Sequence, residues 1–143
     1  MPGDPDVTLT ELSDEECRRL LAEHRVGRLG VVVGGAPLIL PVNYAFDGER
    51  VVFRTDEGLK LTHAPLRRVA FEIDGFDEAA GTGWSVLVQG ATYEITRAID
   101  ERSEELLRLP VVPFAPGEKA HWIEIVPHTI TGRRLGRSAD ASG

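Results

Sequence analysis

The chain has 143 residues, 42% hydrophobic and 27% charged, and its 16 Lys and Arg against 23 Asp and Glu leave a net charge of −7. That is the composition of one globular domain, and its negative field disfavours nonspecific nucleic-acid binding. A single cysteine allows no internal disulfide, no Cys/His cluster has zinc spacing, and there is no membrane-length apolar run or signal-like N-terminus, so a cytoplasmic location is expected.

In chain order, MPGDPDVTLT carries two prolines and a glycine, so residues 1–11 read as a flexible segment. LSDEECRRLLAEHRVG reads as a helix. Ser13 caps it, Glu16 completes a capping box, and Leu12 with Cys17 forms a hydrophobic staple. Cys17, Leu20, Leu21 and His24 share one face, and Gly27 is placed to end the helix. RLGVVV, Gly34-Gly35, APLILPVNYAF, Asp47-Gly48 and RVVFRT then spell two tight hairpins, hence a three-strand antiparallel meander from Arg28 to Thr55. Pro41 inside the middle strand marks an edge or a bulge there.

Beyond the meander, Leu59 to Leu66 reads as a short helix, VAFEIDGF as a strand, and GWSVLVQGATYEIT as a long strand bent at Gly90. A second helix follows from Asp100 to Pro110, then the proline-rich loop VVPFAPGEKA and a closing strand in HWIEIVPHTITGRRL. The tail GRSADASG, residues 136–143, reads as disordered, which leaves a domain over 12–135. About six antiparallel strands joined by hairpins manage their edges best by closing into a small barrel with helices at its ends.

No nucleophile elbow, phosphate-loop or dinucleotide glycine fingerprint is present. The histidines His24, His63, His121 and His128 are scattered, and Cys17 lies on the buried stripe of its helix. One stretch could carry chemistry: VVFRTDEGLKLTH, where Arg54 offers a fork, Thr55 a hydroxyl, Gly58 an open backbone and Lys60 a point charge. These residues would wrap a phosphate, or they are solvated charges around a turn. Spacing alone leaves both readings standing.

LPVNYAFDGERVVFRTDEGLKL, followed by GWSVLVQGATYEIT, resembles the pyridoxamine 5′-phosphate oxidase-like family of flavin-binding split barrels, nearest its nitroimidazole-resistance-like branch. The resemblance implies a mainly β chain with short helices, a six-stranded antiparallel split barrel that forms a homodimer with two cofactor sites at the interface. It implies FMN as cofactor and an oxidoreductase passing hydride or electrons between the flavin and a small molecule. Carried onto this chain, the phosphate-binding positions are Arg54, Thr55, Gly58, Lys60 and Leu61. The strand along the flavin ring is Pro41, Val42, Asn43 and Tyr44, while Trp84, Ser85 and Val86 meet the ring's edge, and Trp122 closes the site from the partner subunit. Asn43, an amide among apolar strand residues, needs a polar partner such as the ring's pyrimidine edge. The further basic residues that bind substrate phosphate in the B6-oxidising enzymes have no match here, which argues against that substrate. Two alternatives keep the fold: a deazaflavin-dependent reductase, with Arg67 and Arg68 along the coenzyme's acidic tail, and a non-enzymatic flavin or haem binder, with His63 or His121 as axial ligand.

Overall fold

A computed structural model describes residues 7–55, 67–95, 109 and 121–137. Among these described residues seven strands and one helix follow in order: β1 (Val7–Glu11), α1 (Asp14–Glu23), β2 (Val26–Val33), β3 (Ala36–Phe46), β4 (Val51–Thr55), β5 (Arg67–Asp77), β6 (Thr82–Ile95) and β7 (His121–Arg137). The sheet runs β1-β7-β4-β3-β2-β5-β6 and β6 pairs again with β7, so strands β2 to β7 close a six-stranded antiparallel ring. This is the expected split barrel. The leading segment supplies an additional strand: β1 pairs with the far end of β7, from Val7↔Arg137 to Glu11↔Arg133. The expected helix over 59–66 lies outside the described residues, as does that over 100–110 apart from Leu109.

The local chemistry explains most boundaries. Ser13 Oγ accepts from the Glu16 N–H at 3.1 Å, and Asp14, Glu15 and Glu16 place negative charge at the helix's positive end. The Glu16 carboxylate accepts instead from Arg134 (3.3 Å), so the half of the expected capping box that is observed is the one from Ser13. Leu12 and Cys17 meet over Gly132, where a Cβ would lie 2.7 Å from Cys17 Sγ and 2.9 Å from Leu12 Cδ1. The helix end differs from expectation. It stops at Glu23, before Gly27, and two side chains take up its last carbonyls: His24 Nδ1–H donates to Leu20 O (2.8 Å) and the Tyr44 hydroxyl to Leu21 O (2.7 Å). Gly27 lies inside β2 for another reason: a Cβ there would be 2.3 Å from Phe71 Cζ.

Both hairpins form where the glycines put them. Gly34 and Gly35 have φ of 58° and 81°, as a two-residue primed turn requires. At the second, Asp47 Oδ1 accepts from the N–H groups of Glu49 (2.9 Å) and Arg50 (2.7 Å). Pro41 pairs with Arg28 of β2 in a stretch of β3 that no other described strand joins, which is the edge position it needs.

The register of β6 on β7 shifts between Gln89 and Gly90: Gln89 faces Thr129, Gly90 faces Pro127, and His128 is the extra residue. Pro127 has no N–H to give the ladder, and a Cβ on Gly90 would be 2.2 Å from Val126 O. The extra residue reverses which alternate side chains of β7 point inward. Ile123 and Ile125 lie in the core before it, while Ile130 packs against the core after it. That core also holds Cys17, Leu21, Leu29, Tyr44, Phe53, Phe71, Val86 and Val88, so one apolar interior joins the helix and all six ring strands.

Gly90→Ala is expected to destabilise by about 1–3 kcal/mol through the forced clash with Val126. Gly30→Ala, whose Cβ would meet Ala70 O at an ordinary 3.6 Å, should stay within about 0.5 kcal/mol. Urea denaturation of the two variants checks the contrast. Tyr44→Phe leaves the buried Leu21 carbonyl without its donor and should cost about 1–2 kcal/mol by the same measurement.

Candidate functional site

The ends of β4, β6 and β7 converge at one rim of the barrel. Val51 and Phe53 point into the core, so Val52 and Arg54 point outward; Thr55, buried, is the last inward position. Register places Arg54 opposite Trp122 and Trp122 opposite Ile95. The Arg54 guanidinium lies over the Trp122 ring, 5.2 Å from its centroid, a cation–π contact that fixes both side chains. Trp122, Ala45 and Leu109 pack on Val52 and Ile95 to make an apolar cluster on the outer face. Continuing the β3–β4 register one step beyond Tyr44↔Phe53 sets Asn43 opposite Arg54. An amide, a guanidinium and an indole thus share one row beside an apolar floor.

On the inward side of the same rim, His121 faces Thr55 across β4 and β7. His121 Nδ1 lies 2.6 Å from Glu94 Oε1, and both side chains are 23% exposed. Charge type alone could have suggested this pair from sequence. What hid it is the β7 bulge, which decides that His121, not Trp122, points inward.

The strand alternation divides the other expected residues. Pro41 and Asn43 turn outward, whereas Val42 packs against the core and Tyr44 is buried in it, its hydroxyl on Leu21 O. Burial pushes the Tyr44 phenol well above its usual range, so it serves as a neutral donor. Val86 is likewise core. Trp84 packs on the core and against the His24 ring (centroids 4.8 Å apart), in space left by Gly75, whose Cβ would lie 2.5 Å from Trp84 Nε1. Gly58, Lys60 and Leu61, like His63, lie outside the described residues.

Trp84 and Ser85 lie at the other end of β6 from Ile95: Trp84 pairs with Arg134, and Ile95 pairs with Trp122. Ser85 borders a cavity of about 390 Å³ with Leu9, Phe76, Arg133, Glu72 and Asp74. Arg28 bridges the two carboxylates, at 3.3 Å to Glu72 and 3.0 Å to Asp74. Burial, then the hydrogen bond and charge of Asp74, raise the Glu72 carboxyl above its ordinary 4.5, with Arg28 pulling the other way. Among the described residues no group of three or more His, Cys, Asp or Glu could hold a metal, and no helix is long and apolar enough to cross a membrane.

Comparison with known proteins identifies the frame around this site. Residues 13–134 match the family described as pyridoxamine 5′-phosphate oxidase. The chain is similar to the FAD binding protein of Mycobacterium smegmatis, 33% identical with a TM-score of 0.63 over 89% of this chain and 98% of that one. It is similar to a protein of Corynebacterium glutamicum provisionally described as a pyridoxamine 5′-phosphate oxidase, 30% identical with a TM-score of 0.71 over 95% and 98% of the two chains. A Bacteroides thetaiotaomicron protein, provisionally described as a 5-nitroimidazole antibiotic resistance protein, shares the fold at 11% identity and a TM-score of 0.60, over 92% of this chain and 90% of that one.

The Glu72 carboxyl gives a pH signature. A carboxyl whose folded pKa is raised holds its proton more tightly in the native state, so stability falls as pH rises from about 4.5 through the raised value. Glu72→Gln removes that loss. Its stability relative to the unsubstituted protein should improve between pH 4 and pH 7 in chemical denaturation, and an equal difference at both pH values would refute the reading.

Proposed function

The chain belongs to the pyridoxamine 5′-phosphate oxidase family, and on that footing we propose that it is a flavin-dependent oxidoreductase holding FMN against the rim formed by β3, β4 and β7. The observation that carries the reading is the row of Asn43, Arg54 and Trp122 beside the apolar floor of Ala45, Val52 and Ile95. A flavin has a flat apolar body, a polar pyrimidine edge and an anionic tail, and this row offers a partner for each. The residues present fit the group.

A bound flavin supplies reversible exchange of hydride or electrons with a small molecule. The chain supplies the rest. Arg54, held by Trp122, pairs with the anionic tail, and the adjoining Thr55, Gly58, Lys60 and Leu61 extend the phosphate cradle along the sequence. The Asn43 amide satisfies the polar edge of the ring. Val42 and Tyr44 face the core and contribute backbone only, while Pro41 borders the ring's side of β3. No side chain is required as nucleophile.

In this reading the protein is a homodimer, in which Ser85 of one copy reaches the flavin held by Arg54 of the other. A second reading of the cofactor, FAD, is favoured by the 33% identical Mycobacterium smegmatis protein, which is described as FAD binding. FAD shares the ring and first phosphate with FMN and would use the same row.

Purified protein is expected to be yellow and to release flavin on denaturation, with chromatography of the released compound separating FMN from FAD. Arg54→Ala should raise the flavin Kd about 10- to 100-fold, the loss of one charge-assisted contact worth roughly 1.5–3 kcal/mol, with the circular dichroism spectrum unchanged. Unaltered affinity in a folded variant would sink the assignment. Light scattering on the loaded protein should report two chains, with one flavin per chain.

A further inference from the structure

We propose that the trough beside Ser85, on the outer face of β5, β6 and β7, binds a small zwitterion with a flat apolar body, its carboxylate on Arg133 and its ammonium on Asp74. Register builds the trough as two rows. Asp74 pairs with Ser85, and Ser85 with Arg133. Two positions along each strand, Phe76 pairs with Gly83 and Gly83 with Leu135, which Leu9 of β1 adjoins. Residues two apart on a strand face the same way, so a charged row and an apolar row lie side by side on one face. The central strand gives each row its smallest member, a serine and a glycine. A Cβ on Gly83 would lie 2.5 Å from Phe76 Cδ2, so the exposed Phe76 ring leans over that gap. Small residues between larger walls account for the cavity of about 390 Å³ that both rows line together with Glu72. Pockets for small ligands commonly hold about 300–1,000 Å³.

The two ends of the charged row have opposite sign, and neither is balanced. Arg133 is exposed, and among the described residues its side chain makes no ion pair or hydrogen bond, not even with Glu11 opposite it on β1. At the other end, Glu72 and Asp74 share the single guanidinium of Arg28, at 3.3 and 3.0 Å, so two carboxylates stand against one cation. Burial first, and Asp74 second, raise the Glu72 carboxyl, and a further cation would relieve the second of these. Neighbouring strands lie about 4.8 Å apart, so the backbones at Asp74 and Arg133, two strands apart, are separated by roughly 10 Å. That is room for one flat ring with a charged group at each end. A simple anion would meet the two carboxylates and a simple cation would meet Arg133, whereas a zwitterion makes a charge-assisted contact at both ends. The inference rests on the flavin reading for the ligand's role alone: where Ser85 reaches the flavin held by the other copy, the ligand lies beside the ring as its substrate.

The test uses three probes in titration calorimetry of the purified protein: 4-(aminomethyl)benzoate, which is dipolar, 4-methylbenzoate, which has only the carboxylate, and benzylamine, which has only the ammonium. The dipolar probe should bind about tenfold more tightly than either of the others. Arg133→Gln should weaken 4-(aminomethyl)benzoate and 4-methylbenzoate about tenfold and leave benzylamine within about twofold, and Arg133→Lys should restore part of the loss. Asp74→Asn should weaken 4-(aminomethyl)benzoate and benzylamine and should not weaken 4-methylbenzoate. Both positions are exposed, and melting temperatures confirm that the variants fold. Equal affinity for the three probes, or the same loss for all of them in either variant, would overturn the inference. So would a change from two chains to one in Arg133→Gln with probe binding unaltered, which would make these rows a contact between copies. Yellow protein that gives no heat with the dipolar probe leaves the flavin reading standing and removes the trough as a site. Protein without flavin that shows the expected pattern of affinities keeps the site and removes the flavin reading.

Discussion

The ladder between β6 and β7 runs from Gly83↔Leu135 to Ile95↔Trp122, and it joins the two ends of the sheet into a ring. Part-way along, Pro127 withholds a donor and His128 loops out opposite Gly90. The two halves of β7 therefore show opposite alternation: Ile130 turns to the core in one half, Ile123 and Ile125 in the other. Without that single extra residue one half of the strand would turn its apolar side chains to solvent, and the ring would have no common interior. The same inversion sends Trp122 outward to meet Arg54 and His121 inward to meet Glu94. The closure of the fold and the chemistry of the rim thus come from one irregularity.

One side of the core is organised by α1. Cys17, Leu20 and Leu21 plug it, and Tyr44 and His24 take the helix's terminal carbonyls without a left-handed cap. Trp84 completes the plug beside His24. The two tryptophans consequently do different work: one packs on the core beside the helix end, while the other carries a cation on the outer face.

Much of this was legible in the residues, and the exceptions have physical causes. The helix, both hairpins and the long strand bent at Gly90 follow from local signals, namely a cap, primed-turn glycines and period-two alternation. Gly27 misled because a glycine just past a helix has two uses, a left-handed cap or room for a neighbour, and Phe71 is 44 positions away in the chain. Val7–Glu11 was hidden because its pairing energy comes from a distant strand rather than from its own composition. Arg54 was legible as a cation at a strand end, but its contact with Trp122 depends on register. Tyr44 shows the limit of carrying a motif over as a block, since alternate residues of a strand face opposite ways.

The open side of β3 has a further consequence. The pair Val33↔Ala36 flanks a two-residue turn, so the even-numbered N–H groups of β3 point to β2 and the odd-numbered ones point away. Two of those outward positions are Pro37 and Pro41, which have no hydrogen to offer. Ile39, between them, is 74% exposed and would otherwise make this stretch an apolar template for another chain's strand. The prolines leave such a newcomer with gaps on either side of Ile39, so the protein can keep an apolar strand at its surface without inviting fibrous self-assembly along it.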